Sequence, residues 1–116
     1  MPVYLDNNAT TPLASGVLDA MLPYLQDVYG NPSSVHRYGR LTGGAIERAR
    51  EQVAALAGTQ PDQVIFTSGG TEANNLAIKG VTGRYASGHI AIGAIEHPSL
   101  LEPALVLREQ GWTVDR

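Results

Sequence analysis

Apolar residues recur at helical spacing in several stretches of this chain, and short apolar runs lie between them. From Ala14 to about Tyr29, Val17, Leu18, Met21, Leu22 and Leu25 fall on one helical face. Pro23 is placed to kink or divide that helix. The stretch GNPSSVHRYG, Gly30 to Gly39, is turn chemistry throughout and predicts a long polar loop carrying His36. Leu41 to Ala57 predicts a helix with Ala45, Ile46, Ala49, Val53, Leu56 and Ala57 on its inner face, ended by Gly58. DQVIFTS, Asp62 to Ser68, predicts a short buried strand. Thr71 to about Tyr85 predicts a second helix, with Ala73, Leu76, Ala77 and Val81 facing inward and Gly80 and Gly83 weakening its end. HIAIGAI, His89 to Ile95, is apolar on both faces of the alternation, as a parallel strand covered on both sides would be. Ser99 to Gln110 predicts a third helix whose regular part begins near Pro103; Gly111 stops it, and WTVD begins another strand.

From Asp62 onward the order is strand, helix, strand, helix, strand, the signature of an α/β fold with a parallel sheet. The expected organisation is a largely helical lead-in over residues 1–60 and an α/β portion over 61–116. Composition narrows the function. With 116 residues, 43% apolar and 16% charged, the chain is ordinary for a soluble globular protein. A net charge of −3 gives no electrostatic case for a nucleic-acid partner. There is no cysteine, hence no disulfide and no thiolate nucleophile from this chain, and Lys79 is the only lysine. Residues 1–25 lack the basic start and apolar core of a signal peptide, and no window approaches a membrane span. A cytoplasmic protein without membrane partner is the expectation.

Two stretches carry candidate chemistry. In TSGGTEANN, Thr67 to Asn75, two glycines sit where a strand turns into a helix. The first N–H groups of a helix lack intrahelical partners, and its dipole makes that end positive. Glycines there let a phosphate reach the backbone, with the Ser68 and Thr71 hydroxyls as added donors. The competing reading is a tight turn with Thr71 as helix cap. Neither the Walker pattern nor GxGxxG is present, which sets aside a stand-alone nucleotide-binding domain. In AIEHPS, Ala94 to Ser99, His97 falls after a strand, on the carboxyl edge where open α/β sheets bind ligands. It can stack on a flat ligand, donate a hydrogen bond or move a proton, or be a plain loop histidine. The loops at 68–71 and 96–99 are expected on one edge. DNNATT, Asp6 to Thr11, and His36 are turn and loop chemistry when taken alone. No metal-ligating cluster stands out.

YLDNNATTP, GNPSSVHRYG, VIFTSGGTEANNLAIKG and IEHPS, in this order, resemble the N-terminal part of cysteine desulfurases. These are the NifS/IscS-like members of the class V aminotransferase family, which use pyridoxal 5′-phosphate (PLP). The resemblance spans essentially the whole chain. It implies a fragment of the aspartate aminotransferase-like fold, with residues 61–116 as the incomplete start of the PLP-binding large domain. It implies that Gly70 and Thr71 hold the PLP phosphate and that His97 stacks on the ring and moves a proton. It implies that Asn8, Ala9 and Thr10 lie near substrate and that the His36 loop approaches the active site of a neighbouring subunit. L-cysteine as substrate, L-alanine and a persulfide as products, a homodimer, and a sulfur-acceptor or scaffold protein in iron–sulfur cluster assembly or tRNA thiolation follow from the same resemblance. A selenocysteine lyase or an aminotransferase of the same class is the nearest rival.

PLP chemistry needs a lysine for the aldehyde and an acid for the pyridine nitrogen, and desulfuration needs a cysteine nucleophile. Lys79 lies eight residues past Thr71, about 12 Å along a helix, and matches a family position that is not the covalent one. No aspartate here matches the family's acid. The chain therefore reads as the first part of a PLP enzyme, inactive alone, or as a non-catalytic assembly module. In the resembled fold the strand at VIFT is not beside the strand at HIAIGAI, so apolar faces should stay uncovered.

Overall fold

A computed structural model describes residues 2–116; Met1 lies outside the described residues. The chain divides after Val64 into two units, the second being Ile65–Arg116. In the first unit, α1 spans Val17–Gln26 and α2 spans Arg37–Ala57, followed by a 3-10 turn at Pro61–Gln63. Helix α1 contains Pro23 without breaking there and has no buried residue. Helix α2 begins four residues earlier than its apolar pattern predicts. The reason is a cap: His36 precedes the helix in extended geometry, and its Nδ1 accepts the N–H of Gly39 at 3.3 Å. The loop then folds back over the first turn. A Cβ at Gly39 would sit 2.1 Å from the Ser34 carbonyl oxygen, so only glycine fits. At the other end Gly58 adopts φ +68° and stops the helix as expected.

The apolar face predicted for α2 is only partly covered. Ala45 and Ala49 are half-buried, while Leu56 is 90% exposed. The buried apolar residue of this helix is Ala54, 1% exposed, and the helix packs on the 3-10 turn. The Arg50 guanidinium donates to the Val64 carbonyl and ties the start of the next segment to α2.

In the second unit, α3 spans Gly70–Thr82, β1 His89–Ala91, α4 Pro98–Glu109 and β2 Thr113–Asp115. Strands β1 and β2 pair in parallel, His89 opposite Thr113 and Ala91 opposite Asp115, with α4 as the crossover. Trp112 lies over Gly88, where an added Cβ would meet its ring at 2.6 Å. Gly111, at φ +91°, makes the turn from α4 into β2.

Three sequence expectations need correction. Asp62 to Ser68 is not a strand: its start is the 3-10 turn, and among the described residues the sheet contains β1 and β2 alone. An extended segment becomes a strand only when another pairs with it, and the resemblance itself implied that VIFT would stand apart from HIAIGAI. Strand β1 stops at Ala91 rather than Ile95. Its flanking residues His89 and Ala91 are exposed, and Ile95, in the turn that follows, is 100% exposed. On α3 the buried residues are Ile78 and Thr82, not the Leu76 and Val81 face, because the former side packs against α4. That interface buries polar groups that a count of apolar positions overlooks. The Thr82 hydroxyl donates to the Ile78 carbonyl at 2.8 Å, and Asn74 bonds across to Ser99. Helix α4 begins at Pro98, its first-turn position, and runs through Pro103.

Among the described residues the buried hydrophobic ones are Ala54, Ile78, Ala104 and Leu107. The accessible surface is 9233 Å² for a 12.3 kDa chain. Two separate folded units of half that mass would expose only about 7,400 Å² together. Large apolar side chains therefore remain in water, as the resemblance implied.

Gly39→Ala is expected to destabilise the protein by about 2 kcal/mol or more through overpacking. Gly44→Ala, whose new Cβ meets nothing nearer than Arg48 Nη1 at 3.6 Å, should be neutral or stabilise by up to about 1 kcal/mol. Chemical unfolding of the two variants measures both; equal losses would contradict the loop packing.

Candidate functional site

The site begins with how α3 starts. Gly69 precedes the helix with no side-chain cap, and the first helical bond runs from Ala73 N–H to the Gly69 carbonyl at 3.1 Å. The N–H groups of residues 70 to 72 thus have no acceptor within the helix. Thr71 does not cap, which removes the simpler reading of this turn. Nor do the glycines serve the chain's own packing. Neither has a left-handed φ, and a Cβ added at Gly69 or Gly70 would meet no protein atom within 4 Å. The backbone is bare on a side that the chain leaves open. Such a helix start attracts an anion.

Ser68 is not one of the donors to that space. Its N–H and its hydroxyl both donate to the Glu72 carboxylate, at 2.7 Å each. The hydroxyl first and the N–H second hold the Glu72 carboxyl below its ordinary range, outweighing desolvation. The pair closes the turn outward, and the Thr67 hydroxyl adds a bond to the Gly69 carbonyl at 3.1 Å.

The second half of the site is the start of α4. His97 is its N-cap in extended geometry, and its Nδ1 accepts the Ser99 N–H at 3.1 Å. The same Nδ1 lies 2.9 Å from the Ser99 hydroxyl, which also receives a bond from Asn74 Nδ2 at 2.9 Å. Helices α3 and α4 run side by side with their N-terminal ends together. Between them opens a cleft of about 420 Å³ lined by Thr71, Asn75, Lys79, His97, Ser99 and Glu102, among others. Thr71 and His97 line this one cleft, so the 68–71 and 96–99 loops lie near each other; the shared sheet edge expected for them is not formed, because no strand precedes Gly69 among the described residues. Lys79 reaches the same cleft from about two helical turns along α3.

The other candidates belong to the first unit. Asn8, Ala9 and Thr10 lie in a turn held by Ala9 N–H and Thr10 N–H bonding to the Asp6 carbonyl. Tyr4 braces it, its hydroxyl 2.7 Å from Thr10 Oγ1. His36 caps α2, and its ring stands edge-on to Tyr38 at 6.4 Å. Asn74 and Ser99 were not singled out in the sequence. The signal was there: Ser99 stands two residues after a capping histidine, and Asn74 follows Thr71 by three, on an adjacent helical face. Among the described residues no cluster of histidines and carboxylates could hold a metal ion.

Comparison with known proteins gives one consistent answer. A model of the family described as aminotransferase class-V matches residues 3–116. A cysteine desulfurase IscS of Dictyoglomus turgidum is 49% identical over 114 residues, covering 97% of this chain and 29% of that protein. The solved structure of a NifS-like protein superposes with a TM-score of 0.88 at 36% identity, over 99% of this chain and 32% of that one. A structure titled SspA in complex with cysteine superposes with a TM-score of 0.83 at 39% identity, over 91% of this chain and 31% of that one. The chain thus spans under a third of the length of each of these proteins.

Ser68→Ala should move the Glu72 carboxyl part of the way back up toward its ordinary range, since the backbone N–H bond remains. The Glu72 bonds strengthen the fold above the unfolded-state pKa and are lost as pH falls through the lower folded-state value. A carboxyl-carbon NMR titration reads this directly; a Glu72 midpoint unmoved by the substitution would contradict the assignment.

Proposed function

This chain belongs to the class-V aminotransferase family, and from that premise we propose that it supplies the N-terminal part of a PLP-dependent cysteine desulfurase. The substrate is L-cysteine and the products are L-alanine and a persulfide, for iron–sulfur cluster assembly or tRNA thiolation. The observation that carries the proposal is the bare, uncapped start of α3, next to Thr71, which lines a cleft together with His97. The names of matching relatives and a relative's structure with cysteine support the choice of reaction within the family.

The residues present fit part of the cofactor. The N–H groups of Gly70 and Thr71, with the Thr71 hydroxyl, would hold the phosphate at the positive end of α3. His97 would lie against the ring and hold or move a proton at Nε2. PLP would supply an electron sink for breaking bonds at the substrate's α-carbon. Asn8, Ala9 and Thr10 serve the substrate side of the site, and the His36 loop serves the site of a neighbouring subunit in a homodimer. Lys79 shares the cleft but sits far along α3 from the phosphate end, and it matches no covalent position of the family. The thiol that takes the sulfur also lies outside this chain, which has no cysteine. A sulfur-acceptor or scaffold protein is the expected partner. No helix of the described residues is long and apolar enough to cross a membrane, and a cytoplasmic setting accords with kinship to a bacterial IscS.

A second reading has its own support. The uncovered apolar surface and the lack of cysteine favour a non-catalytic assembly role for the 116 residues alone. Both readings give the same result for this chain by itself: no sulfide from L-cysteine, and no PLP absorbance that borohydride bleaches. Such a bleachable band would instead point to Lys79.

In the natural protein that carries this chain, His97→Ala should lower alanine production from L-cysteine by about 100-fold, the loss typical for a positioned proton donor. Gly69→Val, at the N-cap but with open space around it, should cost no more than about 1 kcal/mol of stability. It should nonetheless weaken PLP binding at least tenfold. Unchanged PLP affinity in Gly69→Val would remove the phosphate assignment.

A further inference from the structure

A capping histidine needs one bond, from the second N–H of its helix. His97 has that bond and more. Ser99 is buried, and its hydroxyl lies 2.9 Å from His97 Nδ1. The same oxygen accepts an N–H of Asn74, reached across from α3 at 2.9 Å. A hydroxyl has a single proton to give. Because an amide N–H already points at the oxygen, that proton is free to turn toward Nδ1. Two donors then converge on Nδ1, the Ser99 N–H and the Ser99 O–H, so Nδ1 must present its lone pair. The proton of the neutral ring is left on Nε2.

We propose that Ser99, oriented by Asn74, is a positioning residue that holds the neutral His97 ring with its proton on Nε2. The ring then enters the cleft as a hydrogen-bond donor of fixed orientation. A ring free to exchange tautomers would offer a lone pair there part of the time. That this donor acts on a cofactor or substrate rests on the PLP reading above; the tautomer itself does not. The charged groups that line the same cleft are Lys79 from α3 and Glu102 from α4. They act through space and choose between the two ring nitrogens less sharply than a direct bond does.

The polarity of the relay gives a sharp test. Asn74→Asp keeps the shape but replaces an N–H with a carboxylate oxygen. The carboxylate takes the Ser99 proton, and the hydroxyl oxygen turns its lone pairs to Nδ1. The experiment records the ring-nitrogen resonances of His97 by NMR in the natural protein, across a pH titration. The unaltered protein should show the Nε2–H tautomer. The Ser99 N–H still donates to Nδ1 in Asn74→Asp, so that variant should gain a measurable Nδ1–H population rather than switch fully, and its ring's titration midpoint should rise by about one pH unit or more. Adding Ser99→Ala to that variant should return most of the rise, because the path through the hydroxyl is gone. A proton on Nδ1 in the unaltered protein overturns the proposal even if no variant folds. An Asn74→Asp ring whose tautomer populations and titration midpoint both match those of the unaltered protein overturns it too, as does a full rise surviving in the double variant. PLP binding measured on the same samples separates the two ideas: its absence sinks the cofactor reading and leaves the tautomer result standing.

Discussion

The packing of α3 against α4 is the constraint on which the site depends. Each helix by itself is a short amphipathic segment with an unsatisfied N-terminal end. Packed side by side, they bury Ile78 on α3 and Ala104 and Leu107 on α4, and they bring their N-terminal ends to one edge. The result is that Thr71 and His97, 26 positions apart, line one cleft. The bond from Asn74 to Ser99 sits inside this interface and joins the two ends directly. Sheet pairing acts in the same direction. Strands β1 and β2 fix where α4 starts and stops, with Gly111 making the sharp return.

The two ends of that cleft do different work. At α3 glycine at 69 and 70 leaves the backbone N–H groups uncovered, and the backbone itself is the surface proposed for the phosphate. At α4 the side chain is the surface, and the backbone serves to orient it: the Ser99 N–H fixes the ring that caps its own helix. Glu72 stands beside the first of these ends with its charge turned back onto Ser68. That leaves the Gly70 and Thr71 N–H groups, rather than a carboxylate, to meet an incoming anion.

Much of this was legible in the sequence wherever one residue decides a local outcome. Gly58 and Gly111 end helices because their left-handed backbone suits glycine; position made the glycine turn and His97 candidates, and the family resemblance is what raised them above a plain turn and a loop histidine. The errors arose where the outcome depends on a partner. Val64 to Thr67 has the composition of a strand, but pairing is not written into a single segment. Helix α3 carries one stripe of apolar residues at 73, 76, 77 and 81 and another side bearing Asn74, Ile78 and Thr82. The mixed side is the one buried, because its polar groups find hydrogen bonds within the interface. The start of α2 was hidden for a related reason: Gly39 reads as a helix breaker until the loop that crowds it is seen. The apolar stripe of α3, Leu56 of α2 and Ile95 remain in water here, and burial of that much surface calls for further protein.

A phosphate received at the start of α3 would meet the Gly70 and Thr71 N–H groups first. Amide N–H resonances of the natural protein, followed as PLP is added, report on that contact. The Gly70 and Thr71 amides should shift most, with the His97 ring responding alongside them. Largest shifts elsewhere, with Gly70 and Thr71 unmoved at saturation, would contradict that contact.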